Sequence, residues 1–186
     1  MVTRVVTPPA IEPISVTTAK LHAKVSSSAE DALFSSWITS ARELAEGYQN
    51  RAYITRTLLV TMDTFPVGDL LLPLPPLLAV NSITYYDKDD NPDTVPATDY
   101  FVDTHSEPGR VLLRADKRWP LTPLRRTNAV EVEFHAGYGA TEADVPQNVR
   151  DALLLYTTYR YYTRDDSMEP PGAFHALLQP GRVVPA

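Results

Sequence analysis

The sequence predicts an α+β fold, and three observations carry that reading. Toward one end, Leu33, Trp37, Ala41, Leu44 and Tyr48 recur at helical spacing. Toward the other, Val149, Ala152, Leu153 and Tyr156 form a second helical stripe behind Pro146. Between them the apolar period drops from 3.6 to 2 residues and stays there for about 80 residues, the mark of an antiparallel β region set into a helical core.

Residues 1–16, MVTRVVTPPAIEPISV, are punctuated by proline and lack a period, which predicts an extended arm that a neighbour must order. Thr17 or Thr18 is placed to cap a short helix through Ala19, Leu21, His22 and Val25. The main helix spans Ser27 to Gln49, about six turns. Phe34, Ile38 and Ala45 widen its apolar face, Ser27 with Glu30 reads as a capping box, and Asn50 as a stop.

Beyond it, Leu58, Val60 and Met62 alternate with Leu59 and Thr61, as in a strand with one buried face. Leu70 to Leu78 is apolar but holds three prolines, so it is expected as an edge strand or extended connection. Val80 to Asp87 alternates through Ile83 and Tyr85, and Asp87 to Asp93 (DKDDNPD) makes an acidic turn. Tyr100 to Asp103 and Arg110 to Leu113 are short strands with Pro108-Gly109 as the turn between them. In the strand Val130 to His135, Val130, Val132 and Phe134 face one way, and Glu131, Glu133 and His135 the other. Pro146 suits the first turn of the closing helix, where its missing N–H costs nothing, and Tyr159 and Arg160 extend that helix's stripe. The tail from Thr163 breaks at Pro170-Pro171, allows a helical turn at Ala173 to Leu178, and then extends through Val183 and Val184. The organisation expected is an arm (1–16), one domain (17–164) with helical core 17–50 and 145–164 and β insertion 56–138, and a second arm (165–186).

Composition narrows the chemistry. With no cysteine among 186 residues, disulfides, thiol nucleophiles and cysteine-ligated zinc are excluded. A net charge of -6 argues against general affinity for DNA, which rests on basic surfaces. No run reaches the roughly 18 apolar residues of a membrane span, and no apolar run behind Arg4 suggests a signal peptide. Seventeen prolines against seven glycines favour extended connections of fixed φ over flexible linkers.

No catalytic, metal or cofactor site is expected. Asp87, Asp89, Asn91 and Asp93 alternate like half a calcium loop, but Pro92 and Thr98 stand where its glycine and bidentate glutamate belong. His22, His105, His135 and His175 show no metal-ligand spacing, and no serine sits in an activating motif. Gly137 and Gly139 occupy the place of a phosphate loop, yet Glu142 replaces its third glycine, which leaves a tight strand-to-helix connection. Arg110, Arg114, Lys117, Arg118, Arg125 and Arg126 form a basic stretch, read as a solvated face or subunit contact, with a nucleic-acid patch as the alternative. Tyr156, Tyr159, Tyr161 and Tyr162 are more tyrosines than one stripe can bury, which points to an oligomer contact.

The order of segments is also informative. Pro13 to Leu21 is followed by Glu30 to Thr57, then by PLPPLLAVNSITYYD (Pro73 to Asp87), DYFVD (Asp99 to Asp103), PGRVLL (Pro108 to Leu113), VEVEFHAGYG (Val130 to Gly139) and Val145 to Arg164. This series, spanning roughly 13–164, resembles the head–tail connector (head-completion adaptor) proteins of long-tailed bacteriophages and phage-derived gene transfer agents. The resemblance implies a structural virion protein: a ring of about twelve copies under the portal vertex that continues the DNA channel and receives a tail-side stopper or tail terminator protein. It implies a location at the head–tail joint, with assembly in the bacterial cytoplasm, and no cofactor or membrane. Carried onto this chain, the helices 28–49 and 146–164 form the ring body. Leu177, Leu178, Val183 and Val184 would reach the portal, and Tyr159, Tyr161, Tyr162, Arg114 and Arg118 would meet neighbouring subunits. The alternative is a small monomeric module that binds protein or nucleic acid through 110–126.

Overall fold

A computed structural model describes residues 1–164 and 169–184. The parts of the expected C-terminal arm at 165–168 and 185–186 lie outside the described residues. The chain divides into two compact units, Met1–Pro9 with Thr55–Gly137, and Ala10–Ile54 with Tyr138–Ala186.

The first unit is built on β strands, with one 3-10 turn at Ala97–Asp99. Its strands are β1 (Val2–Thr7), β2 (Arg56–Met62), β3 (Leu70–Leu72), β4 (Leu77–Tyr86), β5 (Pro92–Thr94), β6 (Tyr100–Asp103), β7 (Gly109–Leu113) and β8 (Val130–Ala136). They form a five-stranded sheet in the order β1-β2-β8-β4-β5 and a three-stranded sheet in the order β3-β7-β6. All pairings are antiparallel. β8 lies centrally and alternates as its sequence demands, with Val130, Val132 and Phe134 buried and Glu131, Glu133 and His135 partly exposed. Leu58, Val60, Ile83, Leu70, Leu72 and Val111 are also buried in this unit. Gly109 lets β7 come close to β4, because a Cβ there would run into the Leu77 side chain. The proline-broken run after Leu70 forms the short edge strand β3, while β4 starts at Leu77, three residues earlier than the alternation marks.

The N-terminal stretch departs from expectation. Residues 2–7 are not a free arm but the β1 edge strand, paired with β2 from Val2↔Thr61 to Thr7↔Thr57. Val2, Thr3, Val5, Val6 and Thr7 are β-branched and strand-forming, and the prolines that suggested an arm begin only at Pro8.

The second unit is helical: α1 (Val16–His22), α2 (Asp31–Gln49), α3 (Gln147–Thr163) and α4 (Gly172–Leu178). Ser15, rather than Thr17 or Thr18, caps α1, its hydroxyl accepting the Thr18 N–H at 3.1 Å. No capping box forms at Ser27 and Glu30. The Ser27 hydroxyl accepts the Ala29 N–H instead, and α2 starts four residues later at Asp31. Asn50 ends α2 in the left-handed conformation, as its sequence position suggests. The buried stripe of α2 is Phe34, Ile38, Ala41 and Ala45, whereas Leu33 and Leu44 are exposed and Trp37 and Tyr48 only partly covered. From α3, Val149, Ala152, Leu153 and Tyr156 meet it, joined by Phe174 and Leu178 of α4.

Candidate assembly surfaces

The C-terminal segment is held against the second unit by three consecutive residues at the end of α2. Gln49 Nε2 donates to the Leu178 carbonyl at 2.5 Å, Asn50 Nδ2 to the Val183 carbonyl at 2.8 Å, and Arg51 Nε to the Gly181 carbonyl. The Val183 N–H returns to the Gln49 carbonyl at 2.9 Å. Asn148 Nδ2 donates to the Leu177 carbonyl at 2.8 Å, and Tyr156 packs on Phe174 with ring centroids 5.5 Å apart. The expected portal-contact residues therefore have different surroundings. Leu178 lies inside the core at 0% exposure, Leu177 and Val183 are half-buried, and Val184 stands 76% exposed. Residues 172–183 are a docked helix and turn, not a free extension. The reason is the apolar spacing of Phe174 and Leu178, which suits a helix face.

Beneath that segment lies a polar cluster that apolar periodicity could not reveal. Arg42 donates to Glu12 at 2.7 Å and to Glu46 at 2.9 Å. The other Glu46 oxygen accepts the Tyr53 N–H at 3.0 Å, and the Tyr53 hydroxyl donates to Gln49 at 2.7 Å. Burial works against the Arg42 charge, but the Glu12 hydrogen bond and the Glu46 and Glu12 charges raise its pKa above the ordinary guanidinium value. Burial also pushes the Tyr53 phenol up, and Glu46 adds to the effect. These groups satisfy one another and fix the join between α2 and its flanks. The signal available in the sequence was the i, i+4 spacing of Arg42 and Glu46.

The α3 tyrosines divide. Tyr161 stacks on Phe34 at 5.4 Å and stands edge-on to Trp37 at 6.4 Å, so its ring serves the core. Tyr159 is half-buried. Tyr162 donates from its hydroxyl to the Ala23 carbonyl at 2.9 Å while its side of the helix stays 67% exposed. Of the three, Tyr162 offers the accessible ring.

In the first unit half of the basic stretch is matched by local carboxylates. Arg110 pairs with Asp103 at 2.9 Å and Asp69 at 3.1 Å, Lys117 with Asp99 at 3.0 Å, and Arg125 with Asp90 at 3.4 Å. Arg114 covers the Phe101 ring at 3.8 Å, and Arg118 and Arg126 are exposed. Hydrogen bonds from Ser106, Arg110 and the His105 and Ser106 amides hold the Asp103 carboxyl well below the usual range.

The two loops weighed for ligand binding are filled by their own side chains. Asp87 accepts the Asp89 N–H at 2.8 Å and the Asn91 N–H at 3.0 Å, closing the acidic turn on itself. Behind Gly139, Asp144 accepts the Thr141 N–H and hydroxyl, both at 2.8 Å, so a carboxylate already occupies the place of an anion. Among the described residues no group of three His, Asp or Glu gathers to hold a metal ion.

No protein-family model and no curated protein matches the sequence. Solved structures do. A chain in the neck of an empty gene transfer agent particle, computed with C6 symmetry, superposes with a TM-score of 0.85 at 23% identity, covering 100% of this chain and 97% of that one. A chain from the virion of a native gene transfer agent particle gives 0.83 at 22% identity, with the same coverage. A chain in the neck of the native particle, computed with C12 symmetry, gives 0.80 at 22% identity and the same coverage. The likeness establishes a shared fold over the full length of the chain.

Proposed function

We propose that this chain is a structural component of a virion or gene transfer agent particle: a neck adaptor that joins the portal vertex of the head to the tail. The observation that carries this reading is the full-length match at TM-scores of 0.80–0.85 to chains from gene transfer agent necks and virions. In this reading about twelve copies close a ring, and DNA passes through its centre without sequence recognition. A net charge of -6 suits a channel wall along which DNA slides. The portal lies on one side, with Val184 and the neighbouring Val183 as the contact, and a tail-side stopper or terminator on the other. Tyr162, Arg114 and Arg118 belong to subunit contacts, while Tyr159 and Tyr161 support them from behind. The protein acts by assembly, with no cofactor and no reaction, and reaches the particle from the bacterial cytoplasm.

The nucleic-acid alternative is less well supported, because Arg110, Lys117 and Arg125 already have carboxylate partners. Deleting the gene and imaging the released particles tests the proposal. Heads separated from tails are the expected result, and normal tailed particles would overturn it.

A further inference from the structure

The five-stranded sheet ends in two edges of opposite character. At one, β5 is closed. The bonds Val95 N–H to Ile83 O and Asp87 N–H to Asn91 O, at 2.9 and 3.1 Å, set the phase of this hairpin, so Asp93 faces β4 while Pro92 and Thr94 face outward. Pro92 has no N–H, and the Thr94 N–H is taken by the Asp93 carboxylate at 2.7 Å. Neither outward amide is left to receive a strand, the usual way of protecting an edge.

At the other edge, β1 is open. The bonds Tyr86 N–H to Ala129 O and Gly137 N–H to Pro76 O, both 2.9 Å, turn the odd-numbered residues of β8 toward β4 and the even ones toward β2. The registers then carry the alternation outward. Leu59 and Thr61 of β2 face β1, Arg4 and Val2 face back, and the N–H and C=O of Thr3 and Val5 point away from the sheet. β1 holds no proline or carboxylate, every residue in it is exposed, and Val2 and Val5 are 65% and 52% exposed. A six-residue edge of this kind, with apolar side chains and unused backbone groups, is a template for strand addition.

We propose that β1 pairs with the free β6 edge of a second copy of this chain, which deepens the ring reading and rests on it. In a cyclic ring each copy meets its two neighbours through two different surfaces, so β1 pairing with itself does not propagate. A second open edge is required, and β6 provides it. The bond from Arg114 N–H to Asp99 O at 3.0 Å turns Phe101 and Asp103 toward β7 and leaves the backbone groups of Tyr100 and Val102 outward. Phe101 is 53% exposed there, an aromatic partner for the β1 valines. Its other face carries the Arg114 guanidinium, which places a residue already expected at a subunit contact beside the same edge.

The absence of native cysteine makes the test direct. Phe101→Cys is combined in turn with Val2→Cys, Thr3→Cys, Arg4→Cys, Val5→Cys, Val6→Cys and Thr7→Cys, so that every register of β1 on Phe101 is sampled at exposed positions. Each double variant is oxidised both as purified chain and within particles from a strain carrying it in place of the wild type, then run without reductant. A ladder of chain multiples from one or two adjacent registers, absent from every single-cysteine variant, is the expected result. No ladder in either preparation overturns the pairing. A particle that forms normally without the gene overturns the ring reading instead, and the purified chain still decides the pairing.

Discussion

At the scale of single residues, Gln49 shows how a polar side chain can govern a segment far away in sequence. It is fully buried, with its amide nitrogen on the Leu178 carbonyl and its oxygen receiving the Tyr53 hydroxyl. Gln49→Leu leaves both partners without a bond, at about 1–3 kcal/mol. Amide exchange should accelerate in 172–183 and much less in the β unit, and uniform acceleration would contradict this. Asp103 gives a pH signature. Its folded pKa lies below the unfolded value, so its contribution is complete above about pH 4 and fades as pH falls toward the folded value. The melting-temperature gap between wild type and Asp103→Asn should be constant from pH 7 to about 4 and shrink below that. Neither residue was legible beforehand. A sequence shows that Gln49 is polar, but not that a carbonyl 129 residues away will meet it.

For whole elements, periodicity succeeded where one face was purely apolar and the other purely polar. The strand β8 has that character, and its alternation reads directly as burial. On α2 the helix was legible, but the centre of its buried face was displaced by about one position. Leu33 and Leu44 drew the stripe toward themselves, while the true face runs through Phe34, Ile38 and Ala45 and continues onto Arg42, Glu46 and Gln49. Polar groups that bury themselves by mutual pairing look like a solvated face in sequence. Substitution separates the two stripes: Ile38→Ala should cost about 2–5 kcal/mol in chemical denaturation, and Leu33→Ala less than about 1. Equal costs would restore the original stripe. Turn chemistry was legible where an Asx side chain fixed it, as at Asp87 to Asn91 and at Asn50, whereas Gly109, expected in a turn, opens β7 and Pro92 opens β5.

For the molecule as a whole, the α+β class and the segment order could be recognised, but not where the two ends of the chain belong. The N-terminal stretch looked like an arm because proline dominates it, and nothing local indicates that β2 awaits it. The C-terminal arm looked free for the same reason, although Phe174 and Leu178 dock it. Neither unit is contiguous: residues 1–9 belong with 55–137, and 10–54 with 138–186. This interleaving bears on synthesis. While the chain is being made, β1 waits for β2 and then for β8, and α2 waits for α3. At about 5–20 residues per second, the first strand is without its completed sheet for several seconds or more. An edge with unused backbone groups is therefore exposed longest in the nascent chain, and polysomes bring such chains close together. The same stretch that would join finished subunits is the one a trailing ribosome could match prematurely, so the order of translation places a kinetic demand on this fold that its completed architecture conceals.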